Sequence, residues 1–122
     1  LLIRQWRHTA QDYLWELVAG RVDAGESPVA AAHRELAEET GYAARRLKKL
    51  LEIFPSPGFV AEIMWIFAAT GLKQGAARPE EDERIEARRF SLREAERMIR
   101  SGKLRDAKSI AGILYYSKFL AR

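Results

Sequence analysis

The spacing of apolar and polar residues along the chain predicts strands first, then a helix, further strands and two closing helices. Leu1-Leu2-Ile3-Arg4-Gln5-Trp6 reads as a strand already under way. Tyr13-Leu14-Trp15-Glu16-Leu17-Val18 reads as a second strand, leading into Gly20. A third covers residues 49–54 and is broken by Pro55-Ser56-Pro57-Gly58. Residues 62–69, rich in Ile, Met, Trp and Phe, predict a central buried strand. A Gly, Pro and acid loop follows over 71–82, and residues 85–90 form another strand. Ser91-Leu92-Arg93-Glu94 matches a capping box and opens a helix to about Arg100. Asp106 caps the last helix, whose apolar face is read as Ile110, Ile113, Leu114 and Phe119. This order predicts an α/β (α+β) fold, a sandwich with a mixed sheet, in a single domain over residues 1–122.

The first helix is bounded most sharply, and it carries the chemistry. The Ser27 hydroxyl can accept from a free N–H of the first turn, and Pro28 suits the first helical position. Residues 29–39 contain no breaker and are rich in Ala, Leu, Glu and Arg; Gly41 supplies a left-handed stop. Glu35, Glu38 and Glu39 are related by i,i+3 and i,i+4, so they share a face. Like charges at that spacing cost a few tenths of a kcal/mol per pair. A helix C-terminus also carries partial negative charge and prefers cations. A hard divalent cation, Mg²⁺ or Mn²⁺, would offset both effects. A solvated acidic stripe partly neutralised by Arg34 is the plainer account, and the helix by itself supports both equally.

Charge and composition narrow the partners. The formal charge is +4, with much of the excess in Arg45-Arg46-Leu47-Lys48-Lys49 and over residues 84–108. A basic surface can serve nucleic acid, but no aromatic-interleaved basic run is present, so nucleic acid is not the expected partner. Arginines around an acidic metal site suit a phosphate-bearing small molecule instead. No apolar stretch approaches bilayer length, so no membrane partner is expected. The chain has no cysteine, which excludes disulfides and thiol chemistry. With no secretory pattern at its start, a cytoplasmic location is the default expectation.

The spacing around the helix decides between its two readings. Gly20, five residues, Glu26, seven residues, then Arg34-Glu35-Leu36-x-Glu38-Glu39-x-Gly41-Tyr42 resembles the Nudix box. A match of that many positions arises by chance on the order of once in a billion starting points. Tyr42 departs from the aliphatic residue usual there, at a packing position. Further similarity points to the ADP-ribose pyrophosphatase branch of the family. It rests on Arg4-Gln5-Trp6-Arg7, the run from Trp15 to Gly20, Ser56-Pro57-Gly58 followed by Glu62, the acidic run Glu80-Glu81-Asp82-Glu83, and Asp106-Ala107-Lys108. A proline downstream of the box marks that branch, and Pro57 occupies its position. Related nucleotide-sugar hydrolases share parts of this pattern.

The resemblance implies an α/β/α sandwich and hydrolysis of nucleoside diphosphates linked to another group, with divalent cations as cofactor. It assigns Glu35, Glu38 and Glu39 as metal ligands, joined by the Ala19 carbonyl. Glu26 and Arg34 would pair to brace the loop and helix, with Glu26 as an alternative outer metal contact, and Gly20 and Gly41 as structural residues of the box. Arg7, whose planar fork matches phosphate oxygens, is the expected phosphate contact. Glu62, read as a carboxylate among apolar residues where its charge is costly, is expected to contact substrate. The base that activates water is expected in the acidic loop, as Glu81, with Glu83 as a further metal ligand or the alternative base. His8 and His33 lack partners at ligand spacing and are read as bystanders. Trp6, Trp15 and Trp65 are read as core, with Trp6 also near enough to Arg7 to touch adenine.

The expected reaction is Mg²⁺-dependent hydrolysis of ADP-ribose to AMP and ribose 5-phosphate. Alternatives are another nucleoside diphosphate sugar, an idle ADP-ribose-binding sensor domain, or mRNA decapping. The retained box glutamates weigh against a sensor. Decapping gains only from the basic charge and would show strong salt dependence. Members of this branch are commonly homodimers and carry an N-terminal strand region ahead of the part present here. A homodimer is therefore expected, and the adenine pocket is left open.

Overall fold

The computed structural model describes residues 1–75 and 85–121. Its elements run β1 (Leu2–Arg7), β2 (Asp12–Glu16), α1 (Pro28–Thr40), β3 (Tyr42–Ile53), β4 (Met64–Gln74), β5 (Glu86–Arg88), α2 (Leu92–Ser101) and α3 (Ala107–Phe119). The described strands form two antiparallel groups, β2-β1-β5 and the long hairpin β3-β4. Strands and helices thus combine in the α+β manner expected. In the first sheet Arg4 faces Trp15, Trp6 faces Tyr13 and Arg7 faces Asp12. The core gathers Leu2, Trp15, Ala95, Met98, Leu104 and Ile113, joining that sheet to α2 and α3. Helix α1 packs instead on β3 and β4.

The helix limits follow from their caps. The Ser27 hydroxyl accepts from Ala30 N–H, Pro28 opens α1, and Gly41 closes it at φ 75° with its N–H donated to Ala37 O. Ser91 and Glu94 form the reciprocal capping box of α2. The Asp106 carboxylate accepts from Ser109 N–H at the start of α3.

Four expectations need correction. The hairpin is longer than its apolar runs suggest, because β3 begins directly after Gly41 and includes the basic residues 45–49. Arg45, Arg46, Lys48 and Lys49 are all exposed, in adjacent pairs, so the strand there is open to solvent on both faces and a search for apolar residues passes over it. Gly71 does not end β4. It lies within the strand at φ 66°, where a Cβ would come 2.6 Å from Arg45 Cβ, so the glycine permits close passage. Residues 71–74 therefore belong to β4, and the rest of the expected loop falls largely outside the described residues.

The α3 face is also different. Ile113 is buried, but Leu114 and Phe119 are 44% and 58% exposed. Adjacent helical positions are rotated by roughly 100°, so Ile113 and Leu114 cannot share one narrow face. Ser109 and Gly112 take the buried places instead. Among the tryptophans, Trp15 is core and Trp65 half-buried, whereas Trp6 is 48% exposed and edge-on to Tyr13.

Candidate active site

The acidic end of α1 is organised by one cation. Arg34 donates from Nε and Nη2 to the two oxygens of Glu26, at 2.9 and 3.0 Å. Its Nη1 reaches Glu35 at 2.8 Å and Glu38 at 3.2 Å, and Nη2 also donates to the Arg21 carbonyl at 2.8 Å. Asp23 lies 3.5 Å away and its N–H donates to Glu26. Arg34 therefore ties the loop before α1 to the acids along α1. Hydrogen bonds to Glu26 and then Glu35 hold the Arg34 guanidinium well above its ordinary pKa. Hydrogen bonds from Arg34 and the Asp23 N–H hold the Glu26 carboxyl below its usual range. The bracing pair expected of Glu26 and Arg34 is present.

Gly20 lies against this cluster. A Cβ at Gly20 would sit 2.0 Å from Glu35 Cδ and 2.1 Å from Oε1. The missing side chain lets the carboxylate lie on the backbone directly after Ala19. Glu38 is exposed, whereas Glu35 and Glu39 are half-buried, with Glu39 Oε2 shielded from solvent. Among the described residues no three acidic or His side chains are gathered closely enough to enclose an ion. Arg34 accounts for part of this, since it draws Glu35 and Glu38 to itself. The donors nevertheless fit Mg²⁺ or Mn²⁺ chemically: all are carboxylate oxygens, and Gly20 leaves room for Glu35 beside the Ala19 backbone.

Arg7 sits on the neighbouring sheet. Its Nε and Nη2 donate to the two oxygens of Glu16, at 2.7 and 2.8 Å. The Glu16 hydrogen bond comes first in raising the Arg7 pKa; burial opposes it, and the negative charges of Glu16, Asp106 and Glu39 add to it. The field of Glu39 thus reaches Arg7, which places the expected phosphate contact and the acidic helix in one electrostatic unit. Glu16 itself is 1% exposed. Sequence reasoning quoted it within a motif but gave it no role. The available signal was a lone carboxylate in an apolar strand, with Arg7 and Lys108 as cationic partners.

Glu62 departs from its expected setting. It lies before β4 begins and is exposed, so no burial cost attends its charge. Residues 57–59 form a turn, and β4 begins at Met64 rather than at residue 62 as expected. His33 is exposed, and among the described residues the His8 side chain meets Gln11. Glu81 and Glu83 lie outside the described residues. An apolar cleft of about 260 Å³ bordered by Leu1, Leu50, Phe67, Phe90 and Tyr116 touches none of the three α1 acids.

The NUDIX domain model matches residues 1–112. The chain belongs to the Nudix family. It is 36% identical over 117 residues to an ADP-ribose pyrophosphatase of Bacillus subtilis, covering 94% of this chain and 63% of that protein. A GDP-mannose pyrophosphatase of Citrobacter koseri is also 36% identical, over 124 residues, covering 94% of this chain and 64% of that one. A solved structure described as an ADP compounds hydrolase superposes with a TM-score of 0.87 at 26% identity, covering 98% of this chain and 64% of that one. The chain thus spans a little under two thirds of each of these proteins. Nudix hydrolases generally depend on divalent metal ions. Among the described residues, no helix is long and apolar enough to cross a membrane.

Proposed function

We propose that this protein hydrolyses ADP-ribose to AMP and ribose 5-phosphate with Mg²⁺ as cofactor. The observation that carries this reading is the packing of the Glu35 carboxylate against Gly20, beside Glu38 and Glu39, with the charge of Glu39 acting on Arg7. Glu35, Glu38, Glu39 and the Ala19 carbonyl would hold the ion, with Mn²⁺ as a substitute. When bound, it supplies charge neutralisation for the pyrophosphate and makes water at the site more acidic. Arg7 binds a phosphate through the edge of its fork turned away from Glu16. Glu81 takes the proton as water oxygen bonds to phosphorus and the bridging P–O bond breaks. Glu83 assists as a further metal ligand or stands in as base, and Glu62 contacts the substrate from its exposed loop.

A second nucleoside diphosphate sugar has specific support, because the GDP-mannose and ADP-ribose relatives are equally identical to this chain. Product analysis with each substrate and Mg²⁺ separates the two readings through kcat/KM. Absence of turnover on both overturns the hydrolase assignment. We further propose that the protein acts as a cytoplasmic homodimer, the compartment supported by its lack of cysteine. Light scattering at micromolar concentration tests the dimer.

A further inference from the structure

Glu16 stands at the centre of a charged knot between the two ends of the chain. Besides the bidentate bond from Arg7, it accepts from Lys108 Nζ at 2.6 Å. Lys108 also donates to Asp106 at 2.8 Å, and its side chain is 11% exposed. The Ser109 hydroxyl donates to Asp106 and accepts from Leu17 N–H at 2.8 Å. Two cations and two carboxylates are thereby balanced, with Glu16 and Lys108 buried and Arg7 partly open to solvent, joining β1, β2 and the first turn of α3.

The bond from Arg7 is directional. A guanidinium is planar with donors at fixed angles, so fixing Nε and Nη2 on one carboxylate fixes where the opposite edge points. Glu16 can hold that orientation because Lys108 and the rigid start of α3 hold Glu16. Arg7 is thereby held in one orientation while the negative charge of Glu39 acts on it as well. A long side chain is thus ordered before substrate arrives.

We propose that Glu16 is a positioning residue, clamping Arg7 so that its outer edge meets a substrate phosphate. The inference rests on the hydrolase reading above and deepens it. Because phosphate is bound in both ground and transition states, loss of the clamp raises KM more than it lowers kcat.

The test is a double-mutant cycle on ADP-ribose and GDP-mannose turnover, with Glu16→Gln and Arg7→Lys made singly and together. Urea midpoints accompany each variant. Glu16→Gln is expected to raise KM about tenfold alone, but less than about twofold when Arg7 is already Lys. A knot that merely fastens α3 to the sheet lowers the urea midpoint yet leaves KM alone, or gives additive losses; either result overturns the inference. If Glu16→Gln does not fold, Glu16→Gln with Lys108→Met removes one buried charge of each sign and must show the same rise in KM. A parent protein inactive on both substrates overturns the hydrolase reading and this inference with it. An active parent with an unmoved KM overturns the inference alone.

Discussion

Gly20 and Glu35 are in contact so close that a single methyl group at Gly20 would coincide with the Glu35 carboxylate, 2.0 Å from its Cδ. The obstructed atoms are the far end of a flexible side chain, so Gly20→Ala can be accommodated by turning Glu35 away. The fold then changes little, by less than about 1 kcal/mol in urea unfolding. A displaced metal-holding carboxylate is costlier for function. Gly20→Ala is expected to raise the Mg²⁺ midpoint for turnover and lower kcat at least about tenfold. A variant with parental Mg²⁺ dependence would show that Glu35 is not needed at that position.

Arg34 serves four acids, Asp23, Glu26, Glu35 and Glu38, and no lysine can reproduce its fork on both Glu26 oxygens. Arg34→Met is expected to lower the melting temperature in EDTA, because the acids lose their shared counter-charge. Added Mg²⁺ should recover part of the deficit, since an ion bound only by the folded state stabilises it by mass action. Arg34→Lys should fall between parent and Arg34→Met. Thermal melts with EDTA and with excess Mg²⁺ decide it, and an equal deficit in both media would deny any shared role with the ion.

The sequence was most legible where local chemistry is self-sufficient. Ser27, Pro28 and Gly41 bound α1 by backbone requirements that need no tertiary partner, and Ser91 with Glu94 does the same for α2. The box spacing likewise pointed to the Glu26–Arg34 pair. What could not be read depended on distant contacts. Glu16 and Lys108 are separated by 92 residues yet share a hydrogen bond, and neither residue type announces burial. Gly71 read as a breaker because only Arg45 on the opposite strand shows why a glycine passes there. Glu62 misled for the converse reason: apolar neighbours in sequence suggested burial, but the loop turns them outward, Phe59 being 86% exposed.

Acid should weaken the knot at Glu16. Burial alone would raise the Glu16 carboxyl, but the hydrogen bonds and positive charges of Arg7 and Lys108 together outweigh it and hold it below its ordinary 4.5. A carboxyl lowered in the folded state contributes stability that is fully present above its unfolded value. That contribution is lost as pH falls through the folded value. Parent stability should therefore decline from about pH 5 downward. Glu16→Gln leaves Lys108 with Asp106 alone and part-exposed Arg7 without its carboxylate at every pH, lowering the neutral plateau by on the order of 1–2 kcal/mol. Its acid limb should also be shallower. Urea unfolding from pH 2.5 to 7 tests both features (about that range spans the carboxylate titrations), and parallel curves would contradict them.

Glu39 provides the sharpest opposition between stability and activity. It is half-buried with Oε2 shielded from solvent, and it shares the α1 face with Glu35 and Glu38. In EDTA, Glu39→Gln removes a negative charge from a crowded helix C-terminus and should unfold at equal or higher urea, by a few tenths of a kcal/mol. With Mg²⁺ and ADP-ribose the same change should lower kcat by about 10²–10⁴, the range for loss of a group that moves protons or holds the ion acting on them. The urea midpoint must hold or rise while kcat falls. If kcat falls only alongside a lower urea midpoint, the loss reflects damage to the fold. If kcat stays at the parental value, Glu39 neither holds the ion nor serves the reaction.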